Sequence, residues 1–242
     1  LADNRSRVVF LLGLLAYCAE RLGVEQVPAM CRAWCLEALV MSSVGKHQVA
    51  QRQLLEVEQM STLLQSALDV RDRTAMALMA KCGLRRHEAL ELEVSSIDFS
   101  QQAVHVTPTP KRTNNLVFFD DETHRLLRRY LRVREQRTGT TEGPLLINQV
   151  GTRMGRNAAY KLVVEHATRL GLHNPNGALK DKLPPHCSRH SFTTHLRRNG
   201  MRREYVSWLR GDAPQGTIDL YLHIDPQDVR EEYQQYMPRL GI

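Results

Sequence analysis

PPHCSRHSFTTHLRRNGM (184–201) packs three histidines and three arginines into 18 residues. Core helices rarely carry that much charge. Pro184 and Pro185 stand just before His186, which places His186 at a helix start. HCSRH then sets His186, Arg189 and His190 at i, i+3 and i+4 on one helix face. His195 lies five residues beyond His190, off that face, and reads as a packed or solvated helix residue. Three roles compete for the face. His186 and His190 have metal-ligand spacing, but no third ligand or adjacent acid accompanies them. A plain surface helix is the second role. The third is a phosphate site, with an arginine for a non-bridging oxygen and a histidine at the helix start as donor or acid–base partner.

The phosphate role demands partners elsewhere. Phosphoryl transfer without a metal needs several cationic donors, an acid for the leaving hydroxyl and a nucleophile. CGLRRHEALELEVSSID (82–98) holds Arg85 in a short helix after a glycine, with Glu88 one turn on to orient its guanidinium. PTPKRTN (108–114) reads as a hairpin turn that presents Lys111 to a groove, with Arg112 beside it. LRGDAPQGTIDLYLHI (209–224) carries Tyr221 beyond a polar loop. Tyr205, Tyr233 and Tyr236 fit helical core faces better than Tyr221 does.

Working outward, residues 5–42 read as two apolar helices and 46–53 as a polar linker. A second unit opens with an amphipathic helix in LLEVEQMSTLLQSAL (54–68), and Asp72 is the expected start of the next helix. A short helix follows at 85–92. AVHVT (103–107) and NLVFF (115–119) then read as two strands. DDETHRLLRRYLRVREQR (120–137) is a helix with an acidic first turn and basic later turns. Further helices are expected at 156–170, over the opening stretch, at 203–209, and after Asp225-Pro226. The fold class is therefore mainly α with a small antiparallel β-sheet (α+β). The expected domains are a partial N-terminal helical domain at 1–45, a linker at 46–53, and a catalytic domain with a C-terminal helix at 54–242. The chain begins with Leu, and an upstream portion is expected to precede it.

Composition narrows the function. The net charge is +7 and arginine dominates the basic residues, which leans towards nucleic acid because a planar guanidinium grips phosphates bidentately. No apolar run approaches the roughly 20 residues of a membrane span. VVFLLGLLAYCA (8–19) is the longest, and it continues into ERLGV as a buried helix would. The five cysteines lack a framework spacing, which points to reduced thiols in a cytoplasmic protein. Cys31 and Cys35 have no second pair to complete a zinc site and read as core residues.

GLRRHEALELEVSSIDF (83–99) resembles the first arginine box of the tyrosine recombinases, the phage-integrase, Xer-type and Cre-type site-specific DNA recombinases. HCSRHSFTTHLRRNGM (186–201) resembles their HxxR box. LRGD, followed nine residues after Asp212 by Tyr221, resembles their closing segment. The resemblance covers residues 54–225, with the boxes in family order and spacing. It implies the family's catalytic-domain fold and strand exchange on double-stranded DNA. Arg85 and Arg189 would clamp the scissile phosphate. Lys111 would protonate the departing 5′ hydroxyl, and His186 would assist proton transfer. Tyr221 would attack and hold the 3′ end as a phosphotyrosine. Glu88 and His190 would support the clamp. Ligation reverses the step, so no cofactor, ATP or metal is required. Asp212 departs from the family, which usually has His or Trp there. A carboxylate near a phosphate is repulsive unless protonated or paired. Arg210 and Arg202 or Arg203 are the expected partners, and Asp212 is not expected to be an essential catalytic group.

Arg156 to Leu170, with Arg153 just before it and Lys161 and Arg169 on it, is the candidate DNA-groove helix. Arg197, Arg198, Arg202 and Arg203 would track the DNA backbone. In the last helix Val229, Tyr233 and Met237 share a stripe suited to docking on a neighbouring protomer, which suggests a homo-tetramer on DNA. That stripe argues against the alternative of a monomeric type IB topoisomerase. A non-catalytic DNA-binding relative is the other alternative. It would need no nucleophile, but the Asp212 substitution favours it.

Overall fold

The computed structural model describes residues 53–109, 112–178, 181–212 and 224–242. The expected helical domain at 1–45 and nearly all of the linker lie outside the described residues. Helix α1 (Val57–Gln65) opens on reciprocal capping between Glu56 and Gln59, and buries Met60, Leu63 and Leu64 on one face. Helix α2 (Val70–Lys81) starts two residues before the expected Asp72. The reason is Asp69, whose side chain accepts from the Arg71 N–H at 2.9 Å and caps the helix there. From Thr74 to Lys81 every residue of α2 is buried. It is the central helix, packed against α1, α4 (Asp121–Thr138) and α6 (His186–Asn199). Lys81 at its end is fully buried and paired with Asp120 and Glu122. Glu122 also accepts the Leu240 and Gly241 N–H groups, each at 2.8 Å. Burial pushes its carboxyl up, but these donors and Lys81 hold it below the usual range.

Helix α3 (Arg86–Glu91) and a short 3-10 turn lead into a three-stranded antiparallel sheet. Strand β1 (Ile97–Asp98) pairs with β2 (Ala103–His105), which pairs with β3 (Leu116–Phe118). The register sets Val104 opposite Val117, both fully buried. The sequence pattern marks β2 and β3 and misses β1, whose two residues are too few to show a period. Helix α4 is capped by Asp120, whose side chain accepts from the Thr123 N–H at 3.0 Å, and closes on left-handed Gly139. Within it, buried Arg134 donates to the carbonyls of Thr140, Glu142 and Pro144 and so fixes the following loop.

Helix α5 (Arg156–Arg169), α6, α7 (Arg203–Arg210) and α8 (Pro226–Tyr236) complete the described fold. Gly83, just after α2, has φ +63°, and a Cβ there would come within 2.6 Å of the Phe192 ring. Only glycine permits this approach of α2 to α6. Val229 and Tyr233 of α8 are fully buried, and Met237 nearly so, in a second core with Phe118, Phe192, Leu196, Tyr205 and Leu209. Tyr233 donates its hydroxyl to the Lys81 carbonyl at 2.9 Å. The stripe expected to dock on a neighbouring protomer is therefore buried within its own chain. The tail beyond α8 stays attached, with the Leu240 carbonyl accepting from Ser61 Oγ at 2.6 Å. Among the described residues no helix is long and apolar enough to cross a membrane.

Candidate active site

Arg85 is the N-cap of α3, one turn before Glu88. The Glu88 side chain is fully buried and accepts three donors. These are the Arg85 N–H at 2.8 Å, Arg85 Nη1 at 2.8 Å and Arg112 Nη1 at 3.1 Å. Burial favours its neutral form, but the Arg112 charge and the Arg85 hydrogen bonds hold its carboxyl below the usual range. Sequence reasoning assigned Glu88 to Arg85 and missed Arg112. Arg112 is equally buried, and also donates to the carbonyls of Asn114 at 2.8 Å and Leu209 at 2.9 Å. It bolts the hairpin turn to both α3 and the end of α7. Only the lone charged neighbour of Lys111 hinted at it. Lys111 itself lies outside the described residues.

Arg189 is nearly fully buried on the inner side of α6. Its Nη1 donates to the Gly83 carbonyl and its Nη2 to the Arg210 carbonyl, both at 2.5 Å. Burial, with the nearby Arg85 charge, pulls its pKa down to about 10, which still leaves it charged at neutral pH. His186, the first residue of α6, is exposed. His190 is exposed as well, and no side-chain hydrogen bond or ion pair joins it to the cluster. Glu88, expected as a support of Arg85, has that contact, and Arg112 joins it there. Among the described residues no group of three His, Cys, Asp or Glu is placed to hold a metal ion. His195 is a packed residue, its Nε2 2.7 Å from the Leu55 carbonyl oxygen.

Asp212 follows the left-handed Gly211 that ends α7. Its Oδ2 lies 2.9 Å from Arg210 Nε, and its Oδ1 lies 3.5 Å from Arg189 Nη2 and 3.7 Å from Arg85 Nη2. The expected pairing with Arg210 is present. Arg202 is engaged elsewhere, in an ion pair with Glu232. Trp208 stacks on Phe118. Tyr221 and His223 lie outside the described residues.

Arg85 and Arg189 line a cleft of about 700 Å³, together with Arg86, His87, Arg156, Tyr160 and His186. Among the described residues no carboxylate is in this lining, although Asp212 Oδ1 faces both arginines at 3.5–3.7 Å. Of the candidate groove residues, Arg156 faces this cleft from the first turn of α5, with Lys161 exposed one turn on. Arg169 is exposed at the other end of the helix, about 20 Å away at 1.5 Å per residue. Arg153 is spoken for: it pairs with Glu93 and donates to the Leu90 carbonyl at 2.5 Å. The expected backbone-tracking run is partly spoken for too. Arg198 pairs with Glu56 at 2.8 Å, and Arg197 donates to the Met201 carbonyl.

Fold and site together define a mainly helical protein with an arginine-rich cleft. The Phage integrase family model matches residues 53–228, and the chain belongs to that family. Among curated relatives, tyrosine recombinase XerC of Vibrio cholerae is 27% identical over 189 residues, covering 76% of this chain and 58% of the relative. Tyrosine recombinase XerD of Ralstonia nicotianae is 32% identical over 176 residues, covering 71% of this chain and 54% of the relative. The chain thus spans little more than half the length of these relatives. The fold is that of the crystal structure of XerA recombinase, at TM-score 0.59 and 21% identity over 93% of this chain and 81% of the other. It also matches XerH site-specific recombinase bound to palindromic difH substrate, at TM-score 0.55 and 22% identity over 74% of this chain and 51% of the other. The α+β expectation and the family resemblance both hold.

Proposed function

We propose that this chain is the catalytic part of a site-specific DNA recombinase that cuts and rejoins DNA through a 3′-phosphotyrosine. One observation carries the reading. Arg85 and Arg189, far apart in sequence, converge on one arginine-rich cleft, and each is held by buried protein acceptors. Donors fixed in advance on the reacting phosphate stabilise its transition state without reorganising. Tyr221 is the nucleophile, Lys111 the acid for the 5′ hydroxyl, and His186 the proton-transfer partner at the cleft mouth. Residues 54–242 are the catalytic domain, and 1–45 belong to a partial N-terminal helical domain. Arg156 and Lys161 contact the DNA near the scissile step. The positive charge of Arg85, Arg189 and Lys111 serves where a metal would otherwise stand. The names of the relatives favour recombination over simple relaxation of supercoils.

The test uses a nicked suicide duplex carrying a site located by footprinting on element-end DNA. Wild-type chain should trap a covalent adduct that survives detergent. Arg85→Ala and Arg189→Ala should each slow trapping by about 100- to 1000-fold, the usual loss for one fixed oxyanion donor. Trapping at the wild-type rate by either variant, with its fold intact, contradicts the clamp.

A further inference from the structure

Asp212 is the feature this reading leaves unexplained, because a carboxylate beside a phosphate clamp repels the substrate. Arg85 commits Nη1 to Glu88, and Arg189 commits Nη1 to the Gly83 carbonyl and one N–H of Nη2 to the Arg210 carbonyl. The Nη2 groups of both arginines also face the same atom, Asp212 Oδ1, at 3.7 and 3.5 Å. We propose that Asp212 is an internal stand-in for the scissile phosphate, holding Arg85 and Arg189 together until a DNA oxyanion displaces its carboxylate. The inference rests on the reading of these arginines as a phosphate clamp.

Three observations favour a displaceable group over a permanent strut. The contacts to the clamp are long, at 3.5 and 3.7 Å, whereas Oδ2 lies 2.9 Å from Arg210 Nε in an ion pair whose N–H is not aimed along a hydrogen bond. The carboxylate can therefore yield the clamp and keep a cationic partner. Its backbone is fixed independently, with the N–H donating to the Ser207 carbonyl at 3.1 Å and the carbonyl accepting from Thr113 Oγ1 at 3.0 Å. Withdrawal then needs only a change of side-chain rotamer. The cluster also keeps an excess of positive charge, because four guanidinium groups, Arg85, Arg112, Arg189 and Arg210, face only the two carboxylates of Glu88 and Asp212. Without an anion at the Asp212 position, three guanidinium groups would crowd one point. Asp212 is thus a positioning residue that sets how readily the clamp accepts phosphate, and it sits nine residues before Tyr221.

Inorganic sulfate is the probe, titrated against thermal unfolding of the full chain at constant ionic strength. Wild type should respond weakly, because its clamp already holds an anion. Asp212→Asn should unfold at a lower temperature without sulfate and recover with saturable binding about tenfold tighter than wild type, a typical coupling between two competing ligands. Glu142→Gln, an exposed carboxylate far from the cluster in sequence, removes the same charge and should behave as wild type. Adding Arg85→Ala to Asp212→Asn should abolish the gain. The proposal is overturned if Asp212→Asn gains no affinity, if Glu142→Gln gains as much, or if the gain survives loss of Arg85. A wild-type chain that traps DNA while Asp212→Asn gains nothing loses the stand-in and keeps the reaction. A chain that fails to trap DNA loses the reaction first.

Discussion

Glu88 decides whether Arg85 can hold a phosphate. Its buried carboxylate is shared between Arg85 and Arg112, so removing it strands a buried cation as well as freeing the clamp. Breaking such a pair by deleting one partner typically costs about 3–5 kcal/mol. Glu88→Gln keeps the shape and one acceptor, and should destabilise by less than Glu88→Ala. The pH dependence has a definite sign. The folded-state pKa of Glu88 is lowered, so its contribution is fully present above the ordinary glutamate value of about 4.3. It is lost as pH falls from there through the lower folded value. Denaturant melts of wild type and Glu88→Gln should therefore differ by a constant amount near neutrality and converge in acid. A difference that grows as pH falls contradicts the assignment.

At the scale of elements, α8 separates what the sequence pattern can tell from what it cannot. Its Val229–Tyr233–Met237 stripe was legible, but its partner was not, since an apolar stripe looks the same whether it packs in cis or in trans. Phe192 and Leu196 of α6 and Tyr205 of α7 cover it within the chain. Truncation after Ile224 should therefore lower the melting temperature strongly and abolish single-site DNA binding together with assembly. Tyr233→Ala alone should cost about 3–5 kcal/mol, as large buried aromatics do. An unchanged melt with only the multi-protomer complex lost would restore docking in trans. The same limit governed the site. The arginine boxes were readable because their spacing places Arg85, Glu88 and Arg189 on short local elements. Arg112 was not, because its role arises from contacts between the hairpin, α3 and α7 that only tertiary packing creates. The ion pair of Arg153 with Glu93 was equally illegible, because basic residues beside a helix look alike until the fold brings up a neighbour.

At the scale of the whole molecule, one polar layer joins the two cores. Lys81, buried at the end of α2, ties the start of α4 to the C-terminal tail through Asp120 and Glu122. Gly83 follows at once, and its carbonyl accepts from Arg189. The central helix thus ends in the two contacts that fix the tail and the clamp. The fold brings guanidinium groups together that would repel one another on a looser scaffold, the arrangement that the proposed strand-cutting reaction requires. The most direct test of this account is the identity of the residue bonded to DNA. The suicide substrate is incubated in excess chelator, and the trapped adduct is digested and mapped by mass spectrometry. The account predicts a nucleotide on Tyr221, undiminished by the chelator and absent in a folded Tyr221→Phe chain. An adduct on another residue, or trapping that continues in Tyr221→Phe, would contradict it.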